Sequence, residues 1–227
     1  VTIAATVLED GLSRTGDPGD ADFSEGNRET AAPNTETYDA DEASDLTGGN
    51  LTGLFTATYD PIGADEDGVP ASPTITTGLS TDLSGLATLY SKGVQLSYTV
   101  TTDPVNADTL TATGENGNTV FTLVVNKDGS WTFDLDDQLD HVAGDGENTA
   151  LRSVDPDENP ISVNGIDFSS ILVGTATGAD FDGDEATATT TGVAPGSFVV
   201  TVVDDVPAVT MAPPEESVTI AATVLED

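Results

Sequence analysis

The feature that most constrains this chain is a repeated decapeptide, VTIAATVLED, which occupies Val1–Asp10 and recurs letter for letter at Val218–Asp227. The two copies are 218 − 1 = 217 residues apart. Self-similarity at a fixed spacing is typical of tandem arrays, in which each module contacts only its neighbours. We therefore predict one module over residues 1–207, a Pro-rich linker over 208–217, and the first strand of a following module over 218–227.

The charge balance limits the possible partners. The 227 residues include 41 Asp and Glu against five Lys and Arg, which gives a net charge of −36. Phosphate backbones and anionic membrane surfaces repel such a body, so nucleic acid and membranes are excluded as partners. No apolar run approaches the roughly 20 residues that span a bilayer. We expect a monomeric module whose partners are identical modules joined end to end.

The same charge points to bound cations. Like charges concentrated on one compact body destabilise it unless counter-ions bind. The chain has no cysteine, so disulfides cannot stabilise it and metal ions are a natural substitute. Halophilic adaptation would spread acidic residues evenly, whereas these are bunched at turns, the arrangement that favours calcium. We therefore predict several Ca²⁺ ions.

Short alternating segments predict an all-β fold, specifically an Ig-like, Greek-key β-sandwich of about ten strands with long acidic loops. Residues 1–8 form the first strand, with alternate residues on one face. Residues 9–45 lack apolar periodicity and form an irregular acidic excursion, which a bound ligand could hold. Residues 46–207 form the main sandwich.

The clearest hairpin joins Asn118–Asn126 to Ser130–Leu135 through an Asp-Gly turn and is expected to nucleate the core. Gly93–Thr101 is a regular half-buried strand, whereas Leu110–Thr113 is expected to be short and peripheral. Further strands are predicted at 51–59, 74–79, 86–90, 161–166, 169–175, 186–191 and 197–203.

The most specific metal candidate is the turn that contains Asp180, Asp182 and Asp184. Their spacing of i, i+2 and i+4 around a glycine lets three carboxylates converge on one calcium ion. Thr191 stands where an EF-hand has its bidentate Glu, so the turn is not an EF-hand. The alternative interpretation is a solvated acidic turn.

A second candidate lies where strands end. Asp204 and Asp205 end the last strand, and Glu9 and Asp10 end the first. In an array, the Asp204 pair would lie near the linker to the next module, whose own acidic strand end is Glu226-Asp227. A cation there would lock two modules end to end, and the first-strand acids would meet the preceding module. The alternative is that these residues are polar strand caps.

Two weaker calcium candidates have the same combination of turn and carboxylates. They are the pair Asp155 and Asp157 and the pair Asp65 and Asp67. Their spacing is less specific, so solvated loops are the alternative. The only histidine, His141, has no Cys or second His beside it and is expected to be a hydrogen-bonded structural residue.

Catalytic motifs are missing from the sequence. It contains no GxSxG, no Cys nucleophile, no phosphate-binding glycine loop and no HExxH. Carboxylate pairs that could serve a glycosidase are unavoidable in so acidic a chain, and the aromatic content of 5% leaves few platforms for a sugar. We therefore do not expect an enzyme, and a carboxylate-based hydrolase is the least favoured alternative.

Three blocks occur in order along the second half: GSWTFDLDDQLDHV at Gly129–Val142, DFDGDEATAT at Asp180–Thr189 and FVVTVVDDVP at Phe198–Pro207. Together they resemble the long tandem modules of type I-secreted RTX adhesins, the repetitive surface proteins of Gram-negative bacteria. The glycine-rich nonapeptides that give RTX proteins their name are absent. The first half of the chain has no matching block.

The resemblance implies an extender module: an Ig-like sandwich, stiffened by calcium at and near its joints, that holds a distal adhesive domain away from the bacterial surface. It implies calcium roles for the Asp180–Asp184 turn and for Asp204 and Asp205, and an extracellular, cell-surface location in biofilm-type adhesion. The alternative is a calcium-dependent ligand- or carbohydrate-binding module that uses Glu9–Asp45 or Asp60–Pro73. Repetition favours the spacer, because an adhesive tip normally occurs once.

Overall fold

A computed structural model describes residues 1–9, 12, 45–58, 73–144, 148–179 and 184–205, and the structural statements below refer to these residues. They form fifteen strands and two short 3-10 helices, with no α-helix among them. The strands are β1 (Ile3–Leu8), β2 (Asp45–Gly48), β3 (Thr74–Leu79), β4 (Tyr90–Ser91), β5 (Val94–Gln95), β6 (Ser97–Thr101), β7 (Ala107–Thr113), β8 (Thr119–Asn126), β9 (Trp131–Leu135), β10 (Ala150–Val154), β11 (Pro160–Asn164), β12 (Ile166–Asp167), β13 (Leu172–Ala179), β14 (Glu185–Thr191) and β15 (Phe198–Val203). The predicted all-β class is confirmed, and the architecture of several sheets is consistent with a β-sandwich. The Ig-like, Greek-key arrangement stays a prediction.

The largest sheet is antiparallel and has the order β2-β9-β8-β7-β6. Its β8–β9 hairpin is the predicted one, with Val125 opposite Trp131. Gly129 in the turn has φ 90°, a backbone conformation that favours glycine. Burial alternates along β9 and along β8 from Phe121 onward, whereas Val120 is buried as well. The inward residues of the hairpin are fully or almost fully buried and contribute to the core.

The core lies between this sheet and the strands that include β15. Phe121 and Phe133 of the hairpin contact Phe168, and Phe168 contacts Phe198 of β15, with ring centroids 5.6–6.2 Å apart. Trp131 also packs against Phe198, with a centroid distance of 5.0 Å. These four phenylalanines are fully buried. The aromatic cluster therefore joins the β8–β9 hairpin to β15 in one hydrophobic core.

The first and last described strands form a parallel pair. β1 runs beside β15 from Ile3 opposite Phe198 to Leu8 opposite Val203. β12 pairs antiparallel on the other side of β15. Because β1 and β15 point the same way, the chain enters this sheet at one end and leaves it at the other. We call the end with Leu8 and Val203 the exit end.

Two predictions about strands are wrong. The segment at Leu110–Thr113 belongs to β7, a seven-residue interior strand of the large sheet, and Leu110 is fully buried. Its alternation with Thr and Ala gave too weak an apolar signal. The predicted strand at 51–59 begins instead as a 3-10 helix, Leu51–Leu54, because Asn50 adopts a left-handed conformation at φ 76° that ends the extended backbone.

Several predictions fall outside the described residues. These include the linker at 208–217, the second decapeptide at 218–227 and most of the excursion at 9–45. β2 and β10 have no counterpart among the predicted strands, since Asp45–Gly48 and Ala150–Val154 are short and interrupted by polar residues. Within the described part of the chain, no helix is long and apolar enough to cross a membrane.

Candidate metal centre

Strand pairing brings two of the predicted acidic residues together. Leu8 pairs with Val203, so the next residues, Glu9 and Asp204, follow parallel strands side by side at the exit end. Neither sequence position alone indicates this, because they are almost a whole module apart. The side chain of Glu9 turns inward, where only 4% of the residue is exposed.

A third side chain, His141, completes the group. Its backbone runs antiparallel to β10, with a bridge between His141 and Leu151 and hydrogen bonds from Arg152 N to Asp140 O (2.7 Å) and from Val142 N to Ala150 O (2.8 Å). These bonds fix the segment on both sides of the histidine. The imidazole is therefore held beside the two carboxylates by the sheet.

The three side chains converge closely. One ligand atom each of Glu9, His141 and Asp204 lies within 4.8 Å of the other two. The distance between His141 Nε2 and Glu9 Oε1 is 3.5 Å, and these side chains are 3% and 4% exposed. Two carboxylates and an imidazole, of which the Glu9 and His141 side chains are buried and Asp204 is half-buried, are a donor set that suits a dication.

The two carboxylates are oriented by backbone and amide donors. Glu9 Oε1 accepts a 2.7 Å hydrogen bond from the Leu139 backbone N–H. Asp204 Oδ2 accepts one of 2.8 Å from the Asn148 side-chain amide, and the Asp204 N–H donates to the Asn148 carbonyl at 2.9 Å. Such outer donors hold ligand side chains in place and leave other carboxylate lone pairs free for a cation.

The imidazole lacks this support. Neither ring nitrogen of His141 forms a hydrogen bond of acceptable geometry with any described residue, although both nitrogens are buried. Burial lowers the pKa of His141 and is the largest single influence, but Glu9 and then Asp204 together raise the pKa above its usual 6.5. The centre thus attracts positive charge, with Glu9 and Asn148 as the polar side chains that act on the ring. The structural role expected for His141 stays a prediction.

A polar cavity of 470 Å³ adjoins the centre among the described residues. Besides the three side chains, its lining includes Asp205 and the ion pair of Asp140 with Arg152, whose atoms are 3.1 Å apart. The cavity is large enough for several water molecules around a bound ion. Hydrated ions could therefore reach the centre from the exit end.

The other predicted ligands that the structure describes lie apart from this centre. Asp155 is exposed, and its Oδ1 accepts hydrogen bonds from the Asp157 N–H and the Asn159 N–H, which makes it the organiser of a turn. These bonds hold the pKa of Asp155 below its usual value. Asp157 is exposed in the same turn, and Asp184 is exposed immediately before β14. Asp10, Asp65, Asp67, Asp180 and Asp182 lie outside the described residues.

The structure shows which residue Glu9 meets. The parallel β1–β15 pair places Glu9 at the exit end beside Asp204. A strand that starts at one end of a sheet must finish at the other. The contact of the first-strand acids with a preceding module stays a prediction.

Two further carboxylate groups help to interpret this centre. Asp108 is 3% exposed and lies 2.9 Å from Lys127 Nζ. Asp134 lies directly opposite Asp45 on β2, and burial, then Asp45 and Asp136, raise the pKa of Asp134 to about 7. The Asp108 carboxylate is neutralised by Lys127. Asp134, in contrast, lies close to two other carboxylates, Asp45 and Asp136.

Calcium, which the sequence resemblance implied, does not fit the Glu9–His141–Asp204 centre well. Ca²⁺ takes six to eight oxygen ligands. Here a buried imidazole nitrogen occupies one of the three protein positions. The predicted calcium roles for Asp204 and Glu9 therefore do not follow from this donor set.

Comparison of the chain with protein-family models, with curated proteins and with solved structures finds no match in any of the three. The described residues form an all-β fold in which Glu9, His141 and Asp204 meet at the exit end.

Proposed function

We propose that this chain is a non-catalytic structural spacer, one module of a tandem array in a bacterial cell-surface adhesin exported by type I secretion. The observation that supports the proposal most is the parallel pairing of β1 with β15. A module in an array must receive the chain at one end and release it at the other. The six paired residues rise about 3.3 Å each along the strand, so the points where the chain enters and leaves are roughly 20 Å apart.

The repeated decapeptide supports the same function. β1 consists of Ile3–Leu8, and the identical residues recur 217 positions later (218 − 1). The second copy is therefore suited to begin the next module with an equivalent strand. Identical modules joined this way have a repeated orientation, which is what an extended stalk requires.

Calcium enters this proposal through the Asp-rich turns. With a net charge of −36, the folded chain gains stability from any cation that binds it and not the unfolded chain. Asp180, Asp182 and Asp184 have the spacing that suits Ca²⁺. Extracellular modules bind calcium at roughly 10⁻⁴–10⁻³ M, so the chain would fold after export from a calcium-poor cytoplasm. The stiffened array would hold a distal adhesive domain away from the cell.

The test uses a chain of two consecutive modules. Small-angle scattering at constant ionic strength should show a longer maximum dimension with 5 mM calcium (a concentration about five to fifty times those affinities) than after calcium removal. Thermal melts of the single module should show a higher midpoint with calcium. The double variant Asp180→Asn/Asp182→Asn should lose most of both effects, and Glu115→Gln, which alters an exposed carboxylate outside the candidate turns, should retain them.

The proposal fails if the scattering profile and the melting midpoint are unchanged by calcium. It also fails if two modules fold back side by side, because a spacer has to extend.

A further inference from the structure

We propose that Glu9, His141 and Asp204 form a structural site for a first-row transition-metal dication of the zinc type, distinct from the calcium sites predicted in the loops. The proposal does not depend on the spacer function. It rests on the convergence of the three side chains, and on a buried imidazole whose two nitrogens form no hydrogen bond of good geometry among the described residues, although Glu9 and Asn148 lie beside it.

The geometry suits a small ion. In a tetrahedral zinc site with bonds of about 2.0–2.2 Å, neighbouring ligand atoms are about 3.3–3.5 Å apart. The Nε2 of His141 and Oε1 of Glu9 are already 3.5 Å apart. The third ligand atom, from Asp204, lies within 4.8 Å of both, so a small side-chain rotation closes the triad.

The types of ligand atom determine which metal ion fits the site. Imidazole nitrogen suits zinc and its neighbours in the first transition row, whereas Ca²⁺ and Mg²⁺ take oxygen. The chain contains one His and no Cys. His141 is therefore the only side chain of this kind, and its position between the buried carboxylate of Glu9 and the half-buried carboxylate of Asp204 is the arrangement that captures such an ion. Three protein ligands leave the fourth position to water from the adjoining cavity.

The consequence is a clamp across distant parts of the chain. The metal would join the end of β1, the segment after β9 and the end of β15. Glu9 and His141 are 132 residues apart in sequence (141 − 9), and His141 and Asp204 are 63 apart (204 − 141). It would fix the point at which the chain leaves the module. It would also neutralise the buried carboxylate of Glu9 and the half-buried carboxylate of Asp204, which share His141 as a titratable partner.

The first experiment follows the imidazole directly. With a single histidine, the ¹⁵N–¹H spectrum of the full chain contains one imidazole spin system. Zinc added at pH 8 should shift these signals and saturate at one equivalent, while millimolar calcium or magnesium leaves them in place. Imidazole signals that are unchanged by zinc, or are shifted equally by calcium, overturn the proposal.

The second experiment compares variants in thermal melts. Zinc at a hundredfold excess over its Kd should raise the wild-type midpoint by about 5–10 °C. Asp155→Asn, which alters an exposed carboxylate, should keep this rise, and His141→Gln should lose it. An equal rise in His141→Gln would assign the zinc to adventitious surface carboxylates and contradict the proposal. If His141→Gln does not fold, the spectrum of the wild-type chain decides.

Discussion

Asp108 and Glu9 are buried to nearly the same extent, at 3% and 4% exposure, yet their carboxylates have different kinds of charged partner. Asp108 faces Lys127, a permanent cation, and also accepts hydrogen bonds from the Leu79 and Asp103 backbone N–H groups at 2.8 and 2.9 Å. Glu9 faces His141, which is charged only when protonated, and shares it with Asp204. One carboxylate is satisfied by the chain, and the other is open to an external cation.

The difference shows how a chain with five basic residues uses them. Lys127 is placed where a carboxylate organises the junction of β3 with β7, so its contribution is to folding itself. The exit end has Glu9 and Asp204 without a Lys or Arg ion pair among the described residues. Four predictions test this contrast, in order of decreasing effect.

The largest effect is expected from Asp108→Ala. This change leaves the Lys127 ammonium and two backbone N–H groups without their buried acceptor. Breaking a buried pair by removing one partner costs about 3–5 kcal/mol of unfolding free energy. Urea denaturation measures it, and the loss should be the same with and without zinc. A loss below 1 kcal/mol (well under that range) would mean that the pair contributes little.

The second prediction concerns Glu9→Gln. Gln keeps an oxygen to accept the Leu139 N–H but removes one of two neighbouring negative charges. Because the hydrogen bond is kept, the loss of stability without metal should stay below the roughly 3–5 kcal/mol expected when a buried pair is broken outright. The roughly 2.7 kcal/mol that zinc supplies at a hundredfold excess over its Kd should disappear. A full zinc response in this variant would remove Glu9 from the ligand set.

The third prediction sharpens the Asp108 side of the comparison. A Cβ added at Gly78 would collide with Asp108 Oδ2. Gly78→Ala should therefore push the carboxylate away from Lys127 and cost about 1–3 kcal/mol, as other overpacked buried sites do. Thermal melts test this, with Gly49→Ala as the control because a Cβ there meets nothing within 4 Å. Equal midpoints for the two variants would contradict the packing argument.

The smallest effect concerns pH. The pKa of Asp134 is about 7 in the folded chain and near 3.8 when unfolded, so the folded state holds the proton more tightly. The stabilisation that protonated Asp134 contributes to the folded state is fully present below pH 3.8, and it is lost as the pH rises through about 7. Solvent screening reduces it to about 1 kcal/mol. Denaturation at pH 5 and pH 8 should show a smaller difference in Asp134→Asn than in wild type, and an equal difference would refute the assignment.

Sequence patterns predicted the parts of the fold that depend on local order. The β8–β9 hairpin follows from the alternation of large apolar residues around an Asp-Gly turn, and its register is as expected. The interior position of β7 was missed because Thr and Ala alternate there with only one large apolar residue, Leu110. Burial of such a strand depends on its neighbours, which the local sequence does not reveal.

The candidate centre was only partly predictable. Glu9 and Asp204 were recognised as strand-end acids, but their proximity depends on parallel pairing between the first and last strands. His141 was assigned a structural role because a lone histidine has no partner motif in sequence. Its rarity was the available signal, since it is the chain's only imidazole. The pairing of β1 with β15 brings Glu9 and Asp204 beside His141, which makes the histidine a candidate metal ligand.

The most direct test of the account is anomalous X-ray diffraction at the zinc absorption edge, from crystals of the full chain grown with one equivalent of zinc and excess calcium. The account predicts a peak about 2.0–2.2 Å from His141 Nε2 and from one carboxylate oxygen each of Glu9 and Asp204. A map without a peak at this centre, or with zinc only on exposed acidic turns such as Asp155, would contradict it.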